Sequence, residues 1–187
     1  MSILTLGICG RAQHGKTTTA KAILKAAAAK DLKAESFEMG SYVLKEAIGI
    51  GSIPPKERSE LNEKEIAELV NLGMKRREEN PHHWVNLMLE DIEEKKPDIA
   101  LVPSVRFINE AEAVRKMDGK IIRVTTYVVD GVPYISNDRN ANDLSEVQNY
   151  SINADFFLTT MRGESLLLSR QAATLFGYIW ERHLNAN

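Results

Sequence analysis

The 187-residue chain has one cysteine, Cys9. A lone thiol cannot close an internal disulfide, and it points to a reducing compartment. No segment approaches the roughly 18 consecutive apolar residues that a membrane span needs. No basic, apolar, small-residue signal stands at the N-terminus, where the first apolar run stops at Gly10. These absences lead to the expectation of a cytosolic protein with no membrane partner. An excess of positive charge is missing as well. Lys and Arg number 24 against 26 Asp and Glu, a net charge of −2, which argues against the uniformly basic surface of a dedicated nucleic-acid binder and leaves room only for a local basic groove. There is no internal repeat, and no low-complexity tract beyond the alanines at 26–29. No N-K-x-D-like segment supplies guanine specificity, so a GTPase is disfavoured.

What remains is an ordinary globular composition, 43% hydrophobic and 27% charged, in a chain long enough to bury the core of one domain. Residues 3–9 form an almost wholly apolar run, as a buried parallel strand requires. After a glycine-bounded loop, Ala20, Ile23, Leu24, Ala27 and Ala28 recur at helical spacing with lysines opposite. Residues 33–38 read as a second strand and 41–48 as a short helix. Residues 50–59, with two prolines and a glycine, read as an exposed linker. Asn62 and Glu65 form a capping box that opens a helix to about Glu79. Asn80-Pro81 opens another, whose stripe of Trp84, Leu87, Met88 and Ile92 reads as core packing. Strands are predicted at 99–102, 120–126 and 156–158, and helices at 109–117 and 164–184. Residues 127–143, rich in Asp, Asn and Gly, carry no helical period and read as an excursion or loop. Strands alternating with helices predict an α/β fold with a parallel sheet.

The chemistry is carried by Gly10, Arg11, Ala12, Gln13, His14, Gly15, Lys16 and Thr17, a full match to G-x-x-x-x-G-K-[ST] between a strand and a helix. The glycines let successive backbone N–H groups turn toward phosphate oxygens, and the helix N-terminus adds partial positive charge. Lys16 reaches the β- and γ-phosphates of ATP, the Thr17 hydroxyl ligates Mg²⁺, and Thr18 follows in the same helical turn. His14 reads as a solvent-facing loop residue, with a phosphate contact as the alternative. His82-His83 does not read as a metal pair, because adjacent helical side chains point about 100° apart. The run Lys75-Arg76-Arg77 is either a solvated helix face or a phosphate contact.

Three further stretches carry a resemblance. Gly73 to Trp84 contains G-x-x-x-R followed by P-x-x-W; Val105 to Glu112 reads V-R-F-I-N-E-A-E; Leu144-Ser145-Glu146 and Ala154-Asp155-Phe156 give S-E and A-D-F. Together with the loop these spread over most of the chain, and they resemble the deoxynucleoside monophosphate kinases of bacteriophages. The resemblance implies a P-loop NTPase fold of the nucleoside monophosphate kinase kind. It would have about five parallel strands flanked by helices, a helical substrate-binding insertion at 40–96 and a lid at 127–143. It implies Mg²⁺-dependent transfer of the ATP γ-phosphate to a ribo- or deoxynucleoside monophosphate, in host cytoplasm if the chain is phage-encoded. It makes Arg77, Arg106 and Glu110 candidates for the acceptor side, sets Trp84 beside the acceptor pocket, and makes Arg139 a lid arginine. An arginine fork suits phosphate because it binds bidentately.

The chain departs from the family pattern at Ser104, where aspartate is usual, and at Asp143-Leu144, where the family carries a histidine-containing lead. A carboxylate at that strand end commonly supports Mg²⁺ or its waters. Glu38, read as lying at the end of the second strand, is the candidate substitute. Other acceptors stay open: a hydroxymethylated pyrimidine in phage DNA, not favoured by the charge, or a dephospho-coenzyme A-like molecule. A non-catalytic nucleotide-binding module is the third reading, and the residues leave a homodimer open.

Overall fold

A computed structural model describes residues 2–136 and 144–186. The first apolar run becomes strand β1 (Leu4–Cys9), buried along its whole length, and leads through the glycine-bounded loop into helix α1 (Lys16–Ala28). The chain continues as β2 (Ala34–Ser36), α2 (Met39–Gly49), a 3₁₀ turn (Arg58–Glu60), α3 (Glu63–Glu79) and α4 (His83–Lys95). Then follow β3 (Ile99–Val105), α5 (Ile108–Lys116), β4 (Lys120–Tyr127), α6 (Leu144–Ser151), β5 (Phe156–Met161) and α7 (Ser165–Ala186). Residue contacts divide the chain into a sheet unit, Met1–Ser36 with Lys96–Asn187, and a helical unit, Phe37–Lys95.

In the sheet unit five strands pair in the order β2-β3-β1-β4-β5, every pairing parallel. The fold is therefore α/β, a parallel sheet flanked by helices. Leu4, Leu6 and Ile8 of β1 pack with Ile99, Leu101, Ile122 and Val124 against Ala20, Ile23 and Ala27 of α1 and Leu168, Ala172 and Phe176 of α7. The alternate residues of β1 face α5: a methyl group at Gly7 would meet Val114 and Ile121. Both faces of the central strands are covered, which is why their sequences are nearly continuous in apolar residues. From β1 the chain leaves toward β2, and from neighbouring β4 toward β5. Diverging connections of this kind open a crevice at the carboxyl ends of the two strands.

Several boundaries differ from the sequence expectation. Strand β3 runs through Pro103 to Val105, past the expected stop at residue 102. Partner β2 pairs only as far as Leu101, and the β1 register shifts between Gly7 and Cys9, so the missing proline N–H falls where the ladder is already irregular. The second strand is shorter than expected, since Phe37 turns into the helical unit as a buried residue. Residues 50–59 are not simply an exposed linker: Ile53 is buried, its N–H bonds the Ala47 carbonyl, and a 3₁₀ turn begins at Arg58. Helix α6 was not expected at all.

The capping box at Asn62 and Glu65 is present, with Glu65 N–H donating to Asn62 Oδ1 at 3.0 Å and Asn62 N–H to Glu65 Oε2 at 2.9 Å. Helix α4 starts two residues later than Pro81. Asn80 still caps the leading turn, its Oδ1 accepting from the N–H of His82 at 3.0 Å. Among the described residues no helix is long and apolar enough to cross a membrane.

Candidate phosphate-binding site

The loop from Gly10 to Gly15 leaves the carboxyl end of β1, the middle strand of the sheet. Gly10 has φ 145°, and a Cβ there would lie 2.4 Å from the Val124 carbonyl oxygen of β4. A backbone oxygen cannot move aside, so only glycine fits. Gly15 sits at φ 91°, in the left-handed region, as the N-cap of α1. It offers no side-chain cap, so the first turn of α1 begins without the hydrogen bond that Ser, Thr, Asp or Asn would supply. Orphan amide donors at such a helix start suit an anion. Lys16 Nζ donates to the carbonyls of Gly10 at 2.8 Å and Arg11 at 2.7 Å, so its ammonium lies over the loop itself. Thr17 is exposed, and Ala12 and Thr18 are half-buried.

The donor set suits a metal–phosphate pair better than a metal alone. No group of three His, Cys, Asp or Glu among the described residues could hold an ion. A magnesium ion here would take the Thr17 hydroxyl, phosphate oxygens and water, the usual manner of this reluctantly dehydrated cation.

His14 is a correction to the solvent-facing reading. It is 2% exposed, its Nε2 lies 2.7 Å from the Tyr134 carbonyl oxygen, and its own carbonyl accepts from Thr126 Oγ1 at 3.1 Å. The chain after β4 doubles back, with Tyr127 bridging Pro133, and covers the imidazole. Burial pushes the imidazole below the ordinary histidine pKa, outweighing the backbone hydrogen bonds that raise it. Its neighbour Gln13 accepts from the Tyr134 hydroxyl at 3.2 Å, and the Arg162 guanidinium lies 3.8 Å from the Tyr134 ring centroid. Cys9, wholly buried, has its thiol pKa pushed up by desolvation and is no candidate nucleophile.

At the carboxyl end of β3, Arg106 is half-buried and its Nε donates to Ser104 Oγ at 3.1 Å. The serine that stands in place of the expected aspartate thus holds this arginine. Glu110 caps the start of α5: it is 1% exposed, and its Oε2 accepts from the N–H groups of Arg106 at 2.8 Å and Phe107 at 3.3 Å. A carboxylate spent on the orphan amides of α5 is fixed by the helix start.

Arg77, Trp84 and Glu38 belong to the helical unit. Arg77 Nη1 donates to the Gly73 carbonyl at 3.1 Å, and Trp84 Nε1 donates to the same carbonyl at 3.1 Å. Trp84 is 1% exposed, which fits the packing reading and not a ring lining an open pocket. Arg76 is tied to Glu46 at 2.5 Å and Glu79 at 2.9 Å, and His83 Nε2 lies 2.9 Å from Glu46 Oε2. Burial raises the Glu46 pKa, but the hydrogen bonds from His83 and Arg76 outweigh it and hold the carboxyl below its usual value. The basic run is thus partly neutralised within the unit. Glu38 is the exposed N-cap residue of α2, not a strand-end residue, and makes no side-chain cap bond. Arg139 lies outside the described residues.

Two residues of α6 that no periodicity marks reach the loop. Tyr150 accepts from Arg11 Nη1 at 2.7 Å, and Glu146 Oε2 lies 3.5 Å from Arg11 Nε. The S-E resemblance is the one signal in the sequence that touches Glu146.

No protein-family model and no curated protein matches the chain. Among solved structures it is similar to an unliganded sugar kinase from Janibacter sp. HTCC2649, with 12% sequence identity and a TM-score of 0.46 over 92% of this chain and 93% of that one. A likeness this slight bears on neither acceptor nor chemistry.

Proposed function

We propose that the chain is an ATP- and Mg²⁺-dependent phosphotransferase of the P-loop kind whose acceptor is a nucleoside monophosphate, the deoxy form first among them. One observation carries the reading. A glycine-bounded loop leaves the middle strand of a parallel sheet, ends in an uncapped helix, and keeps its lysine ammonium on the loop carbonyls. Such a cradle suits a polyphosphate, and the charge it concentrates lowers the barrier to moving a phosphoryl group.

In the proposed reaction an oxygen of the acceptor phosphate bonds to the γ-phosphorus while the bond from that phosphorus to the β–γ bridging oxygen breaks. The bond electrons leave on the bridging oxygen, giving ADP and a nucleoside diphosphate. An acceptor phosphate is largely dianionic near neutral pH, with a second pKa of about 6, and attacks with its own lone pair. Lys16 neutralises charge on the β- and γ-oxygens, and the loop amides orient them. Bound Mg²⁺ would supply charge neutralisation between those oxygens. Thr17 would hold it, with water in the remaining positions. Arg106 would orient the acceptor phosphate.

The test is ADP release with Mg-ATP against every ribo- and deoxynucleoside monophosphate, with dephospho-coenzyme A and hydroxymethylated duplex DNA alongside. Turnover with mononucleotides is expected. Label from the γ-phosphate appearing only in DNA or coenzyme, or in no acceptor, overturns the proposal.

A further inference from the structure

The loop carries a second cation whose side chain is held from outside the loop. Arg11 Nη1 donates to the Tyr150 hydroxyl at 2.7 Å, its Cζ lies 4.9 Å from that ring's centroid, and its Nε is 3.5 Å from Glu146 Oε2. The Arg11 side chain is only 15% exposed and that of Glu146 only 10%. Nη2 has no hydrogen-bond partner among the described residues.

Helix α6, which does the holding, is itself pinned. Asn149 Nδ2 donates to the Val105 carbonyl at 3.0 Å, and Arg123 Nη2 donates to the Asn149 carbonyl at 2.9 Å and also to that of Ile152. The C-terminal end of the helix is thereby anchored to the sheet unit. At 3.5 Å the Glu146 contact is longer than the 2.7–2.9 Å or so of a charge-assisted bond, so it steers the guanidinium without saturating it. Meanwhile the Arg11 carbonyl receives the Lys16 ammonium at 2.7 Å. Lys16 thus bonds the backbone of the residue whose side chain is the second cation.

Resting on the phosphotransferase reading above, we propose that Arg11 is a catalytic arginine supplied by the loop itself. Its unoccupied Nη2 binds an oxygen of the transferring γ-phosphoryl group, and Glu146 and Tyr150 are the residues that position it. The transferring phosphoryl group carries its charge on the equatorial oxygens, and a guanidinium already held in place needs little reorganisation to meet it. A merely structural strap would engage the whole fork, and its loss would weaken any nucleotide at the loop. A γ-phosphoryl ligand should leave binding of ADP, which lacks that group, untouched.

The experiment measures kcat and ADP affinity for the wild type, Lys16→Ala, Arg11→Ala, Glu146→Gln and Tyr150→Phe. Arg11→Ala should lower kcat by about 10³-fold with ADP affinity within about twofold of wild type. Free guanidinium ion at non-denaturing concentration, against a sodium chloride control, should restore part of that loss in Arg11→Ala and none in Lys16→Ala. Glu146→Gln and Tyr150→Phe are nearly isosteric and keep the proposal testable if Arg11→Ala does not fold. Each should lower kcat by about tenfold, and neither should cost more when added to Arg11→Ala. Wild-type kcat in Arg11→Ala, or in both α6 variants, overturns the assignment. So does a loss of ADP affinity that parallels the loss of kcat. If the wild type transfers phosphate and Lys16→Ala does not, such a result sinks Arg11 alone. A wild type inactive on every acceptor sinks the phosphotransferase reading with it.

Discussion

The imidazole Nε2 of His14 lies 2.7 Å from the carbonyl oxygen of Tyr134, 120 residues along the chain. This contact ties the glycine-bounded loop to the segment after β4, and it has a titration consequence. The folded imidazole titrates below its ordinary value of 6.5, chiefly through burial. The unfolded chain therefore takes up the proton first as pH falls. Stability should be full above about pH 6.5 and decline below it, until the folded histidine is also protonated. Urea midpoints at pH 7.5 and 5.5 check this: His14→Gln, which keeps a donor for the Tyr134 carbonyl, should flatten the difference. An unchanged slope would mean that other groups set it.

Lys16→Ala should abolish phosphoryl transfer, a loss of about 10²-fold or more, while the thermal midpoint stays close to wild type. The ammonium bonds the carbonyls of Gly10 and Arg11, both within the loop, and takes no place in the apolar core. Full turnover at saturating ATP would remove the loop from the chemistry.

Arg106→Lys keeps the charge and loses the planar fork that Ser104 now holds by its Nε. The acceptor KM should rise or kcat fall by about tenfold, with ATP affinity in the absence of acceptor nearly unchanged. A large loss of ATP affinity would put Arg106 on the donor side.

Glu110→Ala should act on the fold first. It strips the acceptor from the buried start of α5 and leaves the amides of Arg106 and Phe107 without it, a cost of about 1–3 kcal/mol. Chemical denaturation should show that loss, and Glu110→Gln, which retains one carbonyl oxygen, should recover much of it. Wild-type stability in Glu110→Ala would mean that these two hydrogen bonds contribute nothing to the fold.

Where structure is dictated by neighbours along the chain, residues alone sufficed. The capping box of Asn62 and Glu65 spans three residues and closes as expected. The unbroken apolar run of β1 admits only a strand covered on both faces, and the amphipathic stretch after it only a helix. The glycines at 10 and 15, in a loop between strand and helix, follow from the same local logic. Where the partner is remote, the residues were silent or misleading. His14 looked like a loop residue facing water until the chain near Tyr134 folded over it. The residues gave no sign that the turn into α5 would bring two amides to the Glu110 carboxylate. Helix α6 has only eight residues, too few to hold a helix alone in water, and its docking against β3, β4 and Arg11 supports it. The order of the strands belongs to this second class as well. Local energies choose the element within a few residues, whereas burial and long-range hydrogen bonds choose its neighbours, and those neighbours decide which polar side chains remain available for chemistry.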